Sequence, residues 1–253
     1  MSMSANYDYV IAKCQAISPK GRLLGYGCGS GEVVVMGRKE GLDIVGVEAF
    51  YAGSNARQIA AEQGLLGTVV FELAADGAIP FGSESFDLVV SNQVFEHADD
   101  LDLVCGEIVR VLKPGGKLIT LFPAREVIRE GHCGVPIIHW FAKDSRLRYH
   151  YMRLMRALGF GYFKNGKSQA AWSRDFLVWL DRFTVYRTYR EIGTVFQRAG
   201  LTVCHIEEDY IGFRLARIGR QRLACWVEGG WMRRLARIAC RRLGGMVIIA
   251  SKG

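Results

Sequence analysis

Four glycines, Gly25, Gly27, Gly29 and Gly31, follow the apolar pair Leu23-Leu24, and a carboxylate, Glu48, stands 17 residues beyond the last of them. Glycines this close, at the end of a strand, let backbone N–H groups approach a ligand without Cβ clashes. A dinucleotide fingerprint wants a third glycine or alanine where this chain has Glu32, and an acid at the start of a helix repels a pyrophosphate. The loop therefore suits a ligand without phosphates there. Glu48 ends the next strand-like run, where a carboxylate accepts hydrogen bonds from both hydroxyls of a ribose, so a nucleoside is implied. For proton transfer the candidates are His132 and His139, which follow the fifth strand-like run. His97, next to Glu96, reads as a hydrogen-bonding residue at a helix entry, and His150, beside Tyr149 and Tyr151, as a surface or packing residue. Cys28 reads as a small packing side chain. No metal is expected: the histidines are scattered, and the acidic trio Asp99, Asp100 and Asp102 suits a helix start.

Elements that would position these groups alternate over residues 1–121. Strands are expected at Arg22–Tyr26, Asp43–Glu48, Thr68–Leu73, Phe86–Asn92 and Lys117–Phe122. Helices are expected at Glu32–Lys39, at Asn55–Gln63 with Ser54 as cap and Gly64 as stop, and at Leu101–Leu112, closed by Pro114-Gly115-Gly116. Alternation of this kind predicts parallel βαβ units. Residues 123–190 break the rhythm with dense aromatics and arginines. It resumes with a helix over Glu191–Arg198, a strand over Leu201–Ile206 and a last strand over Gly245–Ser251. One open sheet with insertions at 123–190 and 214–242 is the simplest architecture.

These residues also carry a resemblance. Leu23-Leu24-Gly25-Tyr26-Gly27-Cys28-Gly29-Ser30-Gly31 and Val45-Gly46-Val47-Glu48 resemble the first two motifs of class I S-adenosylmethionine-dependent methyltransferases, of the type 11 kind. Asp76-Gly77, Ile79-Pro80-Phe81, the run Ser85 to Asn92, Phe95-Glu96-His97 and the run Glu107 to Gly116 match the rest in order. The resemblance covers residues 20–122 closely. It implies a Rossmann-like doubly wound α/β sheet, mostly parallel with an antiparallel last strand, in a single domain over 1–253 with 123–190 as a lid over the substrate. It implies S-adenosylmethionine as cofactor: Gly27, Gly29 and Gly31 along its methionine part, Glu48 on the ribose, Asp76 and Gly77 at the adenine, Asn92 and Val94 at the transferred methyl. The family usually has an acid where Gly25 stands, so modest cofactor affinity is expected.

Composition bounds what the acceptor can be. The chain has 253 residues, of which 50% are hydrophobic and 23% charged, an ordinary globular balance that excludes disordered and collagen-like classes. Residues 1–13 do not read as a signal peptide, no run reaches the length of a spanning helix, and seven cysteines without a Cys-x-x-Cys pair point to a reducing cytosol. The net charge of +8 is uneven: −6 over 1–121, +8 over 122–190, −3 over 191–210 and +8 over 211–242. Arg146, Arg148, Arg153 and Arg156 recur at helical spacing and could meet phosphate or carboxylate. Val227, Trp231, Leu235 and Ile238 share a helical face flanked by arginines, which suits either an interfacial helix on anionic lipid or a helix packed on the sheet. The expected function is methyl transfer to a small-molecule, glycan or lipid-linked acceptor. The alternatives are an RNA or other nucleic-acid methyltransferase and a catalytically silent protein that binds a membrane or partner.

Overall fold

The strands of this chain are apolar at successive positions, as a sheet covered on both faces requires. Leu23 and Leu24 are both fully buried, Leu23 among the side chains on one face and Leu24 among those on the other. The computed structural model describes residues 3–51, 53–227 and 229–253. Its strands are β1 (Arg22–Tyr26), β2 (Asp43–Glu48), β3 (Val70–Glu72), β4 (Phe86–Asn92), β5 (Leu112–Phe122), β6 (Leu201–His205) and β7 (Met246–Lys252), and they form one sheet in the order β3-β2-β1-β4-β5-β7-β6. Pairings from β3 to β5 are parallel, while β7 runs antiparallel to both β5 and β6. This is the doubly wound, Rossmann-like sheet with an antiparallel last strand that the sequence predicts.

The helices are α1 (Met3–Ile17), α2 (Glu32–Lys39), α3 (Ala56–Glu62), α4 (Leu101–Val111), α5 (Arg146–Ala157), α6 (Gln169–Phe183), α7 (Tyr189–Arg198), α8 (Glu207–Arg217), α9 (Gln221–Val227) and α10 (Gly230–Leu243). α1, α2, α3, α8 and α10 contribute to the core on one face, α4 and α7 to the core on the other. Caps set two helix starts, that of α4 where the sequence predicts it and that of α7 two residues earlier than predicted. Asp100 accepts from Leu103 N–H at the head of α4, and Thr188 with Glu191 forms a capping box on α7. Several other ends differ by one or two residues, and one boundary by more: residues 112–116 do not close α4 as a turn but open β5, with Leu112 beside Phe86 and the register shifting between Phe86 and Leu88. Gly115, at φ 72°, takes the left-handed conformation that this irregular start needs.

Residues 123–190 carry their own small core of Cys133, Val135, Ile138, Met152, Trp172 and Leu180. The arginines at helical spacing differ in their surroundings, and one of them meets a carboxylate of the chain itself. Arg148 is buried and donates to Asp181 Oδ1 at 2.6 Å, while Arg153 lies over Tyr149 and Arg156 over Trp172.

The second basic segment is tied down by acids at the start of α8. Arg237 donates twice to Glu208, at 2.6 Å each, and Arg241 Nε donates to Glu207 Oε1 at 2.8 Å. Burial would push the Glu207 carboxyl up, but hydrogen bonds from His205 and Arg241 bring it below its ordinary value. Because the folded value is depressed, this contribution to stability is complete above the unfolded value of about 4.3 and is lost as pH falls through the folded one. Arg241→Met should cost about 3 kcal/mol at pH 7, because it strands a buried carboxylate, and Glu207→Gln added to it should recover most of the loss. Urea unfolding measures both; a double variant no more stable than the single would mean that the pair is not coupled.

Candidate functional site

β1 runs into the glycine loop, and the loop is held against the end of β2. Gly27 N–H and Cys28 N–H both donate to Val47 O, at 2.9 and 3.1 Å, and Gly29 N–H donates to Glu48 Oε2 at 2.6 Å. Gly31, at φ 97°, turns the chain into α2. A Cβ on Gly27 would meet Val94 at 2.3 Å, so the glycine is required by the residue that follows β4. A Cβ on Gly29 would meet nothing within 4 Å among the described residues, which leaves open space in front of the loop. Cys28 is buried, packs against Gly46, and burial raises its thiol above the ordinary range, in keeping with a packing role. Burial also raises the Glu48 carboxyl, against the pull of the Gly29 and Ala49 N–H groups. Where the family's acid would stand, a Cβ on Gly25 would lie 3.3 Å from Val33 Cγ1, so Val33 fills that side. Glu32 is exposed at the first turn of α2. On the other side of Glu48, Asp76 is exposed in the turn after β3, where its Oδ1 accepts Ala78 N–H at 3.0 Å and Gly77 adopts φ 84°.

The end of β4 joins this loop to a larger space. Asn92 borders a small pocket with Gly27, Tyr7, Val33 and Ser91. Its Oδ1 accepts from Asn6 Nδ2 at 3.2 Å, and its Nδ2 is buried without a partner among the described residues. The next residue, Gln93, has φ 58°, uncommon for a side chain, and borders a cavity of about 1120 Å³. That cavity is walled by Tyr162, Phe163, Trp172, Phe176 and Trp179, with Glu130 and His132 on the near side. Its size and apolar lining suit a small organic ligand.

Glu130 is the centre of the polar cluster. Its carboxylate accepts from His132 Nδ1 at 2.6 Å, Cys133 N–H at 2.5 Å and Tyr186 Oη at 2.6 Å. Burial would raise it, but these donors hold it down to about 2. Burial would lower His132, but the Glu130 carboxylate raises it above the ordinary imidazole value. The pairing commits Nδ1–H to Glu130 and leaves Nε2 as the other nitrogen of a ring that borders the cavity. His97 is fixed in the same way, with Nδ1–H on the Phe183 carbonyl at 2.6 Å. His139 lies behind Tyr186, ring centroids 4.5 Å apart, with Nε2 on the Arg125 carbonyl at 3.1 Å, and is not among the residues bordering the cavity. Glu96 is fully buried, neither oxygen has a partner among the described residues, and burial raises its carboxyl to about 8.

Sequence reasoning brought His132 forward but missed its partners. Glu130-Gly131-His132 is an acid two residues from a histidine, a signal that was present in the chain. Tyr186, 54 residues further on, gave none. Asn6 and Tyr7, which reach the glycine loop from α1, lie outside every motif. The expectation of no metal rested on the separation of the histidines along the chain. The fold closes that separation and brings donor atoms of Glu96, His97 and His132 within 4.8 Å of one another.

Comparison with known proteins places this geometry. A family model described as a methyltransferase domain matches residues 24–120. Methyltransferase GfsG of Streptomyces halstedii is 30% identical over 130 residues, 46% of each chain. A ubiquinone biosynthesis O-methyltransferase of Brucella anthropi is 31% identical over 139 residues, 53% of this chain and 54% of that one. The chain thus matches about half the length of these curated relatives. An S-adenosylmethionine-dependent methyltransferase from Mesorhizobium loti shares the fold with a TM-score of 0.57 over 98% of both chains, at 14% identity. Ordered motifs, the strand order and these matches agree: residues 24–120 match a methyltransferase domain, and the fold is the one seen in S-adenosylmethionine-dependent methyltransferases.

Proposed function

We propose that this protein transfers a methyl group from S-adenosylmethionine to a small, largely apolar acceptor with a polar heteroatom. In this reading Gly27, Gly29 and Gly31 lie along the methionine part of the cofactor and Glu48 takes the ribose diol. Asp76 with Gly77 meets the adenine, and Asn92 with Val94 borders the methyl. The residues fit such a ligand: the space before Gly29 is open, and the Asn92 amide is a buried donor without a partner among the described residues. The sulfonium supplies an activated methyl group, so the task of the chain is alignment. One observation carries the reading. Asn92 packs beside Gly27 of the loop and Gln93 borders the large cavity, so the cofactor loop and the acceptor space meet across one peptide bond. His132, oriented by Glu130, engages the acceptor's heteroatom; His139, behind Tyr186, would act only through that ring.

Relatives support a small-molecule acceptor, since one is named a ubiquinone biosynthesis O-methyltransferase. A nucleic-acid substrate is disfavoured because Arg148, Arg233, Arg237 and Arg241 are spent on internal carboxylates rather than arrayed for phosphates. A lipid-linked acceptor, and peripheral contact with an anionic membrane, has a separate observation behind it. Trp226, Trp231, Leu235 and Ile238 are exposed beside Arg222 and Arg234, and Leu243, at the end of the same helix, borders the cavity. Among the described residues no helix is long and apolar enough to cross a membrane.

Glu48→Ala should retain the fold and weaken S-adenosylhomocysteine binding by about 1.5 to 3 kcal/mol, the range for hydrogen bonds to a charged group; unchanged calorimetric affinity would remove Glu48 from the ribose. With radiolabelled S-adenosylmethionine and RNase-treated extract, label should enter the organic-soluble fraction. Label that appears only when RNA is left intact would favour the nucleic-acid alternative, and no label despite cofactor binding a silent protein. Wild type should co-sediment with anionic vesicles at low salt, and Trp226→Ser with Trp231→Ser should abolish this. A wild type that stays in solution would end the membrane reading.

A further inference from the structure

Among the described residues with buried, unpartnered side-chain atoms, Glu96 is the carboxylate with both oxygens in that state, and it is fully buried. A carboxyl left in this state costs several kcal/mol unless something completes it. Facing it are two imidazoles whose Nδ1 atoms are already committed, His97 to the Phe183 carbonyl and His132 to the Glu130 carboxylate. A carbonyl only accepts, so His97 carries its proton on Nδ1, and Nε2 has a free lone pair; it lies 4.0 Å from Glu96 Oε1. The carboxylate beneath His132 takes its Nδ1–H, so Nε2 is the nitrogen that can meet an ion. One donor atom from each of the three residues falls within 4.8 Å of the others.

We propose that Glu96, His97 and His132 form a binding site for a first-row divalent cation, with Zn²⁺ as its probe. Two imidazoles and one carboxylate are the three-ligand set that holds zinc in open, catalytic sites. Ligands of a tetrahedral ion with bonds of about 2.1 Å stand about 3.4 Å apart, so side-chain rotation of about an ångström closes the set. Both imidazoles already make the outer hydrogen bond that ligating histidines require, one to a carboxylate and one to a backbone carbonyl. His97, His132 and Trp179 pack together, with His132 5.0 Å from both other rings, which holds the imidazoles near such positions before any ion arrives. A fourth position opens beside His132 toward the cavity, where the ion would bind the acceptor's oxygen and ease loss of its proton to solvent. The proposal deepens the methyl-transfer reading and rests on it for this last role alone: with the ion in place His132 engages the acceptor through it.

The test is calorimetric titration of the full chain, stripped with chelator, with Zn²⁺. Because Cys204 and Cys225 are exposed thiols that also take zinc, it is run in a Cys204→Ser, Cys225→Ser background. The expected result is one Zn²⁺ per chain, with affinity reduced at least tenfold in Glu96→Gln and in His132→Ala. Glu130→Gln, which reaches the proposed ion only through His132, should weaken it about tenfold or more. Glu96→Gln removes a buried carboxyl without opening a cavity, so it reports on the site even if His132→Ala unfolds. Failure to bind one equivalent, or equal binding in Glu96→Gln, overturns the proposal. S-adenosylhomocysteine titrated into the same preparation reports separately on the cofactor site, so loss of one reading is distinguishable from loss of the other.

Discussion

The shape of the candidate cofactor edge depends on the 2.6 Å hydrogen bond between Gly29 N–H and the Glu48 carboxylate. It joins the loop after β1 to the end of β2, so two adjacent parallel strands present their ends as one rigid edge. The same edge explains the glycines. Gly27 must lack a side chain because Val94 lies against it, and Gly31 must take a left-handed conformation to begin α2. In an open α/β sheet the strand order reverses between β1 and β4, and the crevice at that point is where ligands bind. The charge and conformation of the edge are therefore in place before any ligand arrives.

The second half of the site is assembled on a different principle. Its walls come from 123–190, a segment with its own core, and its polar groups come from three distant stretches, residues 96–97, 130–132 and 186. Glu130 ties the last two of these together by accepting three hydrogen bonds at once, from His132, Cys133 and Tyr186. Such a carboxylate is tolerated in a buried place because every donor around it is satisfied, and it fixes the His132 ring as a consequence. Glu96 is the opposite case, a buried acid with nothing satisfied among the described residues, and this contrast within a few ångströms separates a structural group from one that awaits a ligand.

What was legible in the sequence follows the locality of the signal. β1, α2, β2 and β4 have the limits that strand and helix patterns predict, because continuous apolar runs and a glycine stop mark them. β5 begins five residues early, since pairing of Leu112 with Phe86 is a tertiary contact that overrides the turn chemistry of Pro114-Gly115-Gly116. The glycine loop and Glu48 were legible because they are consecutive or regularly spaced. The Glu130 cluster and the meeting of Glu96, His97 and His132 were not, because they depend on how the 123–190 segment folds back over β4. On α10 the arginine count was visible, but it could not reveal that Arg237 and Arg241 are bound to Glu208 and Glu207, leaving Trp231, Leu235 and Ile238 outward.

The most direct measurement of the central claim is a crystal structure of the protein with S-adenosylhomocysteine. The account predicts the ribose hydroxyls on the Glu48 carboxylate, the amino-acid end against Gly27 and Gly29, and the thioether sulfur at the Asn92–Gln93 junction, turned toward the cavity that His132 borders. A ligand bound elsewhere, or one whose sulfur faces away from that cavity, would contradict it.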